Sequence, residues 1–239
     1  MEPSNSTEPR FIDELFVILG EEKFRDPVFD ALRKGTINRE AVKLWILQAS
    51  LVVRQFTRFI SAIHANCPYR EAQQLLAENL WEEHGRGAPG SDHYSLVAKL
   101  ARSLGATDQE IDNARPLPET AAYIDRCLKI TREQSFVASM TAIALGIEVF
   151  MPAFFGVLAE SLCANYGLTP DDVEYLLVHV SEDETHSRRA IELIEVYART
   201  PEVKESARRE LREMLRVKRR FAEAVYRHCC DASRHSSNP

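Results

Sequence analysis

Apolar residues recur at steps of three and four from residue 10 onward, the spacing of one face of an α-helix, and long β-rich runs are absent. FIDELFVIL opens the pattern with a short amphipathic segment. Asn38 is placed to cap a long helix running to about His64, because apolar positions from Ala41 to Ile63 fill most of its circumference. The next helix spans Tyr69 to His84, after which RGAPGSD breaks the chain with Gly87, Pro89 and Gly90. Ser91 or Asp92 can cap a helix through Leu104. A loop containing PLPET leads to a helix at 119–131, and a strongly apolar helix follows at about 133–166. Thr169-Pro170-Asp171-Asp172 puts proline and acids into a first turn and predicts a helix to about Arg199. Pro201 opens a last helix to about residue 230. No repeat or linker divides the chain. The pattern predicts one all-α domain over 1–239, with flexible ends at about 1–9 and 232–239.

Composition supports that fold class, since Gly (9) and Pro (11) are few for 239 residues. A net charge of −6 offers no basic surface for nucleic acid. Five cysteines, two of them adjacent and none in a CxxC, argue against a disulfide framework and fit a reducing cytoplasm. The N-terminal MEPSNSTEPR does not read as a signal peptide. Residues 136–158, FVASMTAIALGIEVFMPAFFGVL, are long enough to span a bilayer. Their one charge, Glu148, together with a proline, Ser139 and Thr141, favours a buried core helix and no membrane contact.

Within the helix expected after residue 170, HVSEDETH (179–186) carries His179, Asp183 and His186 at steps of four and three. They extend a face made by Leu176, Ala190, Leu193 and Tyr197, apolar at both ends and polar in the middle. Burying an unpaired carboxylate there costs several kcal/mol, and a divalent metal removes that cost. Imidazole with carboxylate suits iron, manganese or zinc. A solvated, charged face is the alternative for this segment taken alone. Glu148, alone in its apolar run, either takes up a proton, pairs with a base or binds a cation, and a bridge between two metals is the sharper option. A third source is NLWEEHGRGAPGSDHYSL, residues 79–96. Glu83 shares a face with Leu76, Asn79 and Leu80, whereas Glu82 lines up with the more charged row of Leu75 and Glu78. His93 shares a face with Leu96 and Leu100. On a straight helix Glu83 and His93 would stand roughly 280° apart beyond whole turns, but the glycines and proline between them permit a bend. His84 competes with them and is expected at the surface. Three carboxylates and three imidazoles make a plausible dimetal set with positions left open for dioxygen and substrate.

In this order, Glu83 in NLWEE, His93 in SDHYSL, Glu148 in LGIEVF, and His179, Asp183 and His186 in HVSEDETH, the six residues resemble the ligand pattern of the haem-oxygenase-like di-iron oxidases. Thiaminase-type and pyrroloquinoline-quinone synthesis proteins are more distant relatives that share the fold without this set. The resemblance implies a seven-or-eight-helix bundle holding two iron ions, without haem or flavin, that activate dioxygen. Glu148 would bridge. Upstream, FDALRKGTINREAVKLWILQ and FISAIHANC resemble a chlamydial branch that makes para-aminobenzoate from its own tyrosine, with a lysine supplying nitrogen. Those two positions fall here on Phe29 and near Leu158, which disfavours the self-sacrificing route and favours an external substrate. Relatives oxidise free amino acids or fatty acids, by desaturation, carbon–carbon cleavage, cyclisation or N-oxygenation. A free amino acid is the leading class here. The alternatives are an oxidative fatty-acid decarboxylase and a non-catalytic metal-binding protein of the same fold.

A carboxylate-bearing substrate needs a cation beside an otherwise apolar pocket. Lys218 interrupts the stripe Leu211, Leu215, Ala222 and Val225, and Arg220 lies nearby. Gln48 has apolar neighbours and can line the pocket or be hydrogen-bonded in the core. The expected partners are thus a small-molecule substrate and dioxygen, with room for a homodimer and an external electron donor.

Overall fold

Capping side chains start several of the helices. The computed structural model describes residues 10–22 and 26–235, the side chains of residues 22, 181–185 and 235 excepted. The first helix, α1 (Phe11–Glu22), is followed by the eight-residue α2 (Pro27–Lys34). Asp26 accepts from the Val28 N–H at the start of α2, Pro27 fills its first turn and Gly35 closes it at φ 61°. Asn38 accepts from Ala41 N–H to begin α3 (Arg39–Asn66), and α4 (Arg70–Glu83) ends at the Gly85–Gly87 turn. Asp92 caps α5 (His93–Ser103). A reciprocal pair of bonds between Thr107 and Glu110 starts α6 (Asp108–Asp112), and α7 (Pro118–Glu133) follows. The chain ends in α8 (Phe136–Met140), α9 (Met151–Tyr166), α10 (Glu174–Tyr197) and α11 (Pro201–His235).

Four details differ from the sequence pattern. Helices α2 and α6 were not expected, being too short to show periodicity. Thr169 and Asp172 do bond to each other, but around a turn, and α10 begins only at Glu174. Helix α11 continues to His235, so residues 232–235 belong to it, while 1–9 and 236–239 lie outside the described residues. The expected continuous apolar helix at 133–166 is broken. After α8 comes one π-helical turn (Thr141–Leu145), then a turn at Gly146–Ile147 and a 3-10 turn (Glu148–Phe150) before α9. Its small polar groups are satisfied internally, Ser139 Oγ donating to Ile130 O and Thr141 Oγ1 to Val137 O.

This interruption coincides with a boundary in the core. One buried cluster takes Phe136–Ile147 residues against Phe59, Ile63, Ile130 and Leu211. The other takes Phe155, Leu158 and Leu162 against Leu32, Ile46 and Leu100. Helix α3 packs on α4, α5, α7 and α11, and α9 packs on α2 and α10. Glu148 therefore sits where two apolar cores meet, on backbone that is not α-helical.

The bend between α4 and α5 depends on Gly85, at φ 69°. A Cβ on it would lie 2.5 Å from Ser91 C and Asp92 N, whereas one on Gly90, also at positive φ, meets nothing within 4 Å. Gly85→Ala is expected to cost about 2 kcal/mol or more in denaturant unfolding and Gly90→Ala only about 1 kcal/mol, the second being backbone strain alone. Equal effects would show that the close approach at Gly85 is not what holds the bend.

Candidate metal centre

The bend at Gly85 brings the end of α4 to the start of α5. Glu83 and His93 are both buried, with His93 Nδ1 2.7 Å from Glu83 Oε2. His179 on α10 joins them, its ring 4.2 Å from that of His93. One ligand atom from each of Glu83, His93 and His179 lies within 4.8 Å of the others. His179 Nδ1 lies 2.7 Å from the Tyr175 carbonyl one turn back. A carbonyl only accepts, so Nδ1 carries the hydrogen, and this is the tautomer whose Nε2 has the lone pair a cation takes.

His186 is buried two helical turns further along the same face, with Nε2 2.5 Å from Glu82 Oε2. Both members of the Glu82–Glu83 pair are thus engaged, although only Glu83 was readable as inward-facing. Glu82 also accepts from exposed Arg86. Its row looked charged because it bridges a buried imidazole and a surface guanidinium. The Asp183 side chain lies outside the described residues. His84 is exposed.

Glu148 links the two groups. It lines a cavity of about 710 Å³ together with Glu83 and His179, and a small pocket of about 30 Å³ together with His186 and Asn79. Burial pushes its carboxyl up to about 7, with His186 acting downward and Glu83 adding like-charge repulsion. Asn79 Oδ1, on the wall of the small pocket, is buried without a hydrogen-bond partner. Two buried carboxylates close enough to repel, the His179 imidazole held in a ligating tautomer and an unsatisfied amide oxygen fit a cation-binding role.

The large cavity is walled mainly by apolar and aromatic side chains, among them Trp45, Phe56 and the stacked pair Phe29 and Phe154. Lys218 lines it as the stripe on the last helix suggested, and burial brings its ammonium down to about 8, with Asp26 and Cys127 acting upward. Gln48 and Arg220 are not among the lining residues. Arg220 is exposed. Gln48 is held in the core, donating to Arg115 O and accepting from Leu117 N–H and Thr120 Oγ1. Its amide ties α3 to the start of α7 and faces protein partners instead of a pocket.

The fold and site together define an all-α bundle with a buried carboxylate and imidazole cluster able to hold a metal ion. The chain belongs to the family of iron-containing redox enzymes, whose profile matches residues 43–219, and it is an oxidoreductase of that family. It is similar to the 4-aminobenzoate synthase of Nitrosomonas europaea, 27% identical over 222 residues and covering 88% of this chain and 85% of that protein. It is also similar to the 4-aminobenzoate synthase of Chlamydia trachomatis, 26% identical over 188 residues, covering 78% and 80%. Among solved structures, a TenA homologue from Pseudomonas syringae superposes with a TM-score of 0.79 at 16% identity, covering 93% and 95% of the two chains. A CADD-like protein of unknown function from Nostoc punctiforme gives 0.76 at 18%, covering 92% and 96%. These likenesses show the haem-oxygenase-like fold.

The raised Glu148 carboxyl makes a prediction for the metal-free protein. Its folded value, about 7, exceeds the ordinary 4.5, so the folded state binds the proton more tightly. That contribution, roughly 3 kcal/mol, is fully present below pH 4.5 and lost as pH rises through about 7. Glu148→Gln should remove this slope from a plot of unfolding free energy against pH. An unchanged slope would show that the carboxyl is not in the surroundings described.

Proposed function

We propose that this chain is a non-haem di-iron oxidase or oxygenase that uses dioxygen to oxidise a small carboxylate-bearing substrate, with a free amino acid as the leading class. The observation that carries the reading is the position of Glu148, which lines one cavity with Glu83 and His179 and another with His186. Glu83, His93 and His179 would hold one iron; His186, with Asp183, would serve the other, and Glu148 would bridge. When bound, the pair of ferrous ions supplies dioxygen activation. The protein's part is to hold the donors, orient the imidazoles and exclude water. The Tyr175 carbonyl orients His179, and Glu82 orients His186.

Substrate placement decides the outcome of such chemistry. The large cavity offers Arg33 and Lys218 to a carboxylate, and Asp26 and Asp30 to a second, positive group. An amino acid answers both signs, whereas a fatty acid answers only one. The mainly apolar wall is the feature that favours the fatty-acid alternative. The relatives are named for a product, 4-aminobenzoate, that carries both an amino group and a carboxylate. Phe29, at the position where the family resemblance places a reacting tyrosine, stacks on Phe154 in the cavity wall, and Leu158 is fully buried. Neither has the chemistry of a sacrificed side chain, which supports an external substrate. All five cysteines are unpaired, in keeping with a cytoplasmic site of action.

The test is anaerobic loading with ferrous iron followed by an oxygen pulse in the presence of amino acids or fatty acids. About two irons per chain are expected, with oxygen consumption accelerated by one substrate class and abolished by chelation. His93→Ala and Glu148→Ala should each lower the rate by about 100-fold or more. Full activity after chelation, or iron uptake without substrate-dependent oxygen consumption, would overturn the reading.

A further inference from the structure

We propose that Lys218 is a positioning residue for Glu148, its ammonium holding the break in the central apolar segment that delivers this carboxylate to the metal centre. The inference rests on the reading of Glu148 as a ligand given above.

In an α-helix the Ile147 carbonyl would accept from Met151 N–H, and the Glu148 carbonyl from residue 152. Here Met151 N–H turns to Glu148 O, and residue 152 is a proline with no hydrogen to give. The π turn just upstream carries one residue more than an α turn, so register around the axis changes immediately before Glu148. Carbonyls at this break need donors from another element. Lys218 Nζ, from α11, donates to Gly146 O at 3.0 Å and reaches Ile147 O at 3.5 Å. It also lies 5.9 Å from the centre of the Phe150 ring. One ammonium therefore touches the chain on both sides of Glu148.

The rest of α11 closes on the same spot. Met214 stands one turn before Lys218 on the same helix face. A Cβ on Gly146 would lie 2.7 Å from Met214 Cγ and press on the Ala142 carbonyl, so only glycine admits α11 this closely. An ammonium in an apolar wall is costly to bury, and a hydrophobic residue of similar length would pack there at least as stably. General stability therefore does not account for a lysine here, whereas fixing the turn that carries a ligand does.

Lys218→Met removes the donors while keeping the length, and Lys218→Gln keeps two amide hydrogens. Both variants, the unsubstituted chain and Glu148→Ala are loaded anaerobically with ferrous iron. Bound iron is counted after desalting, affinity is read by chelator competition, and the thermal midpoint reports folding. Lys218→Met is expected to keep its midpoint and to resemble Glu148→Ala, retaining about one iron where the unsubstituted chain holds about two. The second iron should bind about 10- to 100-fold more weakly, with partial recovery in Lys218→Gln. An unchanged iron count and affinity in Lys218→Met overturns the proposal, and a raised substrate KM beside it leaves the lysine with the substrate-carboxylate role alone. If Lys218→Met does not fold, Lys218→Gln decides: its amide stands one bond short of the ammonium, so iron affinity equal to the unsubstituted chain overturns the proposal, and weakened uptake of one iron supports it. An unsubstituted chain that takes up no iron removes the ligand reading itself, an outcome distinct from failure of the lysine's role.

Discussion

Two carboxylates, Glu83 and Glu148, lie close enough to repel in the interior of an otherwise apolar bundle, and no arrangement of that bundle is comfortable while both are ionised and uncompensated. The surrounding residues answer this charge. His93 contacts Glu83 directly, His179 is oriented from behind by a backbone carbonyl, and His186 is tied to Glu82. The family to which the chain belongs is one of iron-containing redox enzymes, and iron is among the cations such a donor set suits.

The irregular backbone is concentrated at this centre. Glu83 and His93 meet because the chain turns through Gly85, Arg86 and Gly87, all at positive φ. Glu148 arrives on a 3-10 turn between a π turn and a helix that begins with Met151-Pro152. Regular helices elsewhere supply the rigid frame, and the two departures from regularity place the carboxylates. Strain gathered at a site and offset by packing around it is a common feature of functional regions.

Much of this was legible in the chain. Helical periodicity exposed the long helices, because a buried stripe repeats whatever its partners are. Glu148 stood out because one charge in a long apolar run has few explanations, and the His179–His186 face stood out because its polar centre interrupts an apolar stripe. Contacts between elements were less readable. Glu82 looked like surface because its row is charged, yet it reaches a buried histidine on another helix. Gln48 could line the pocket or be hydrogen-bonded in the core, and it takes the second role, with partners in the loop before α7 and in its first turn, whose position periodicity does not encode. The break at Gly146 was hidden for the opposite reason: the residues around it are apolar but for Glu148, and it depends on α11, some 70 residues away in sequence, for its donors.

In the proposed reading these side chains form one centre for a pair of irons. Anomalous diffraction at the iron edge, from crystals soaked anaerobically with ferrous iron, addresses it most directly. Two iron peaks are predicted in the interior, one among Glu83, His93 and His179 and one beside His186, with Glu148 between them. Iron found only at the surface, or a single interior peak that Glu148 does not approach, would contradict the account.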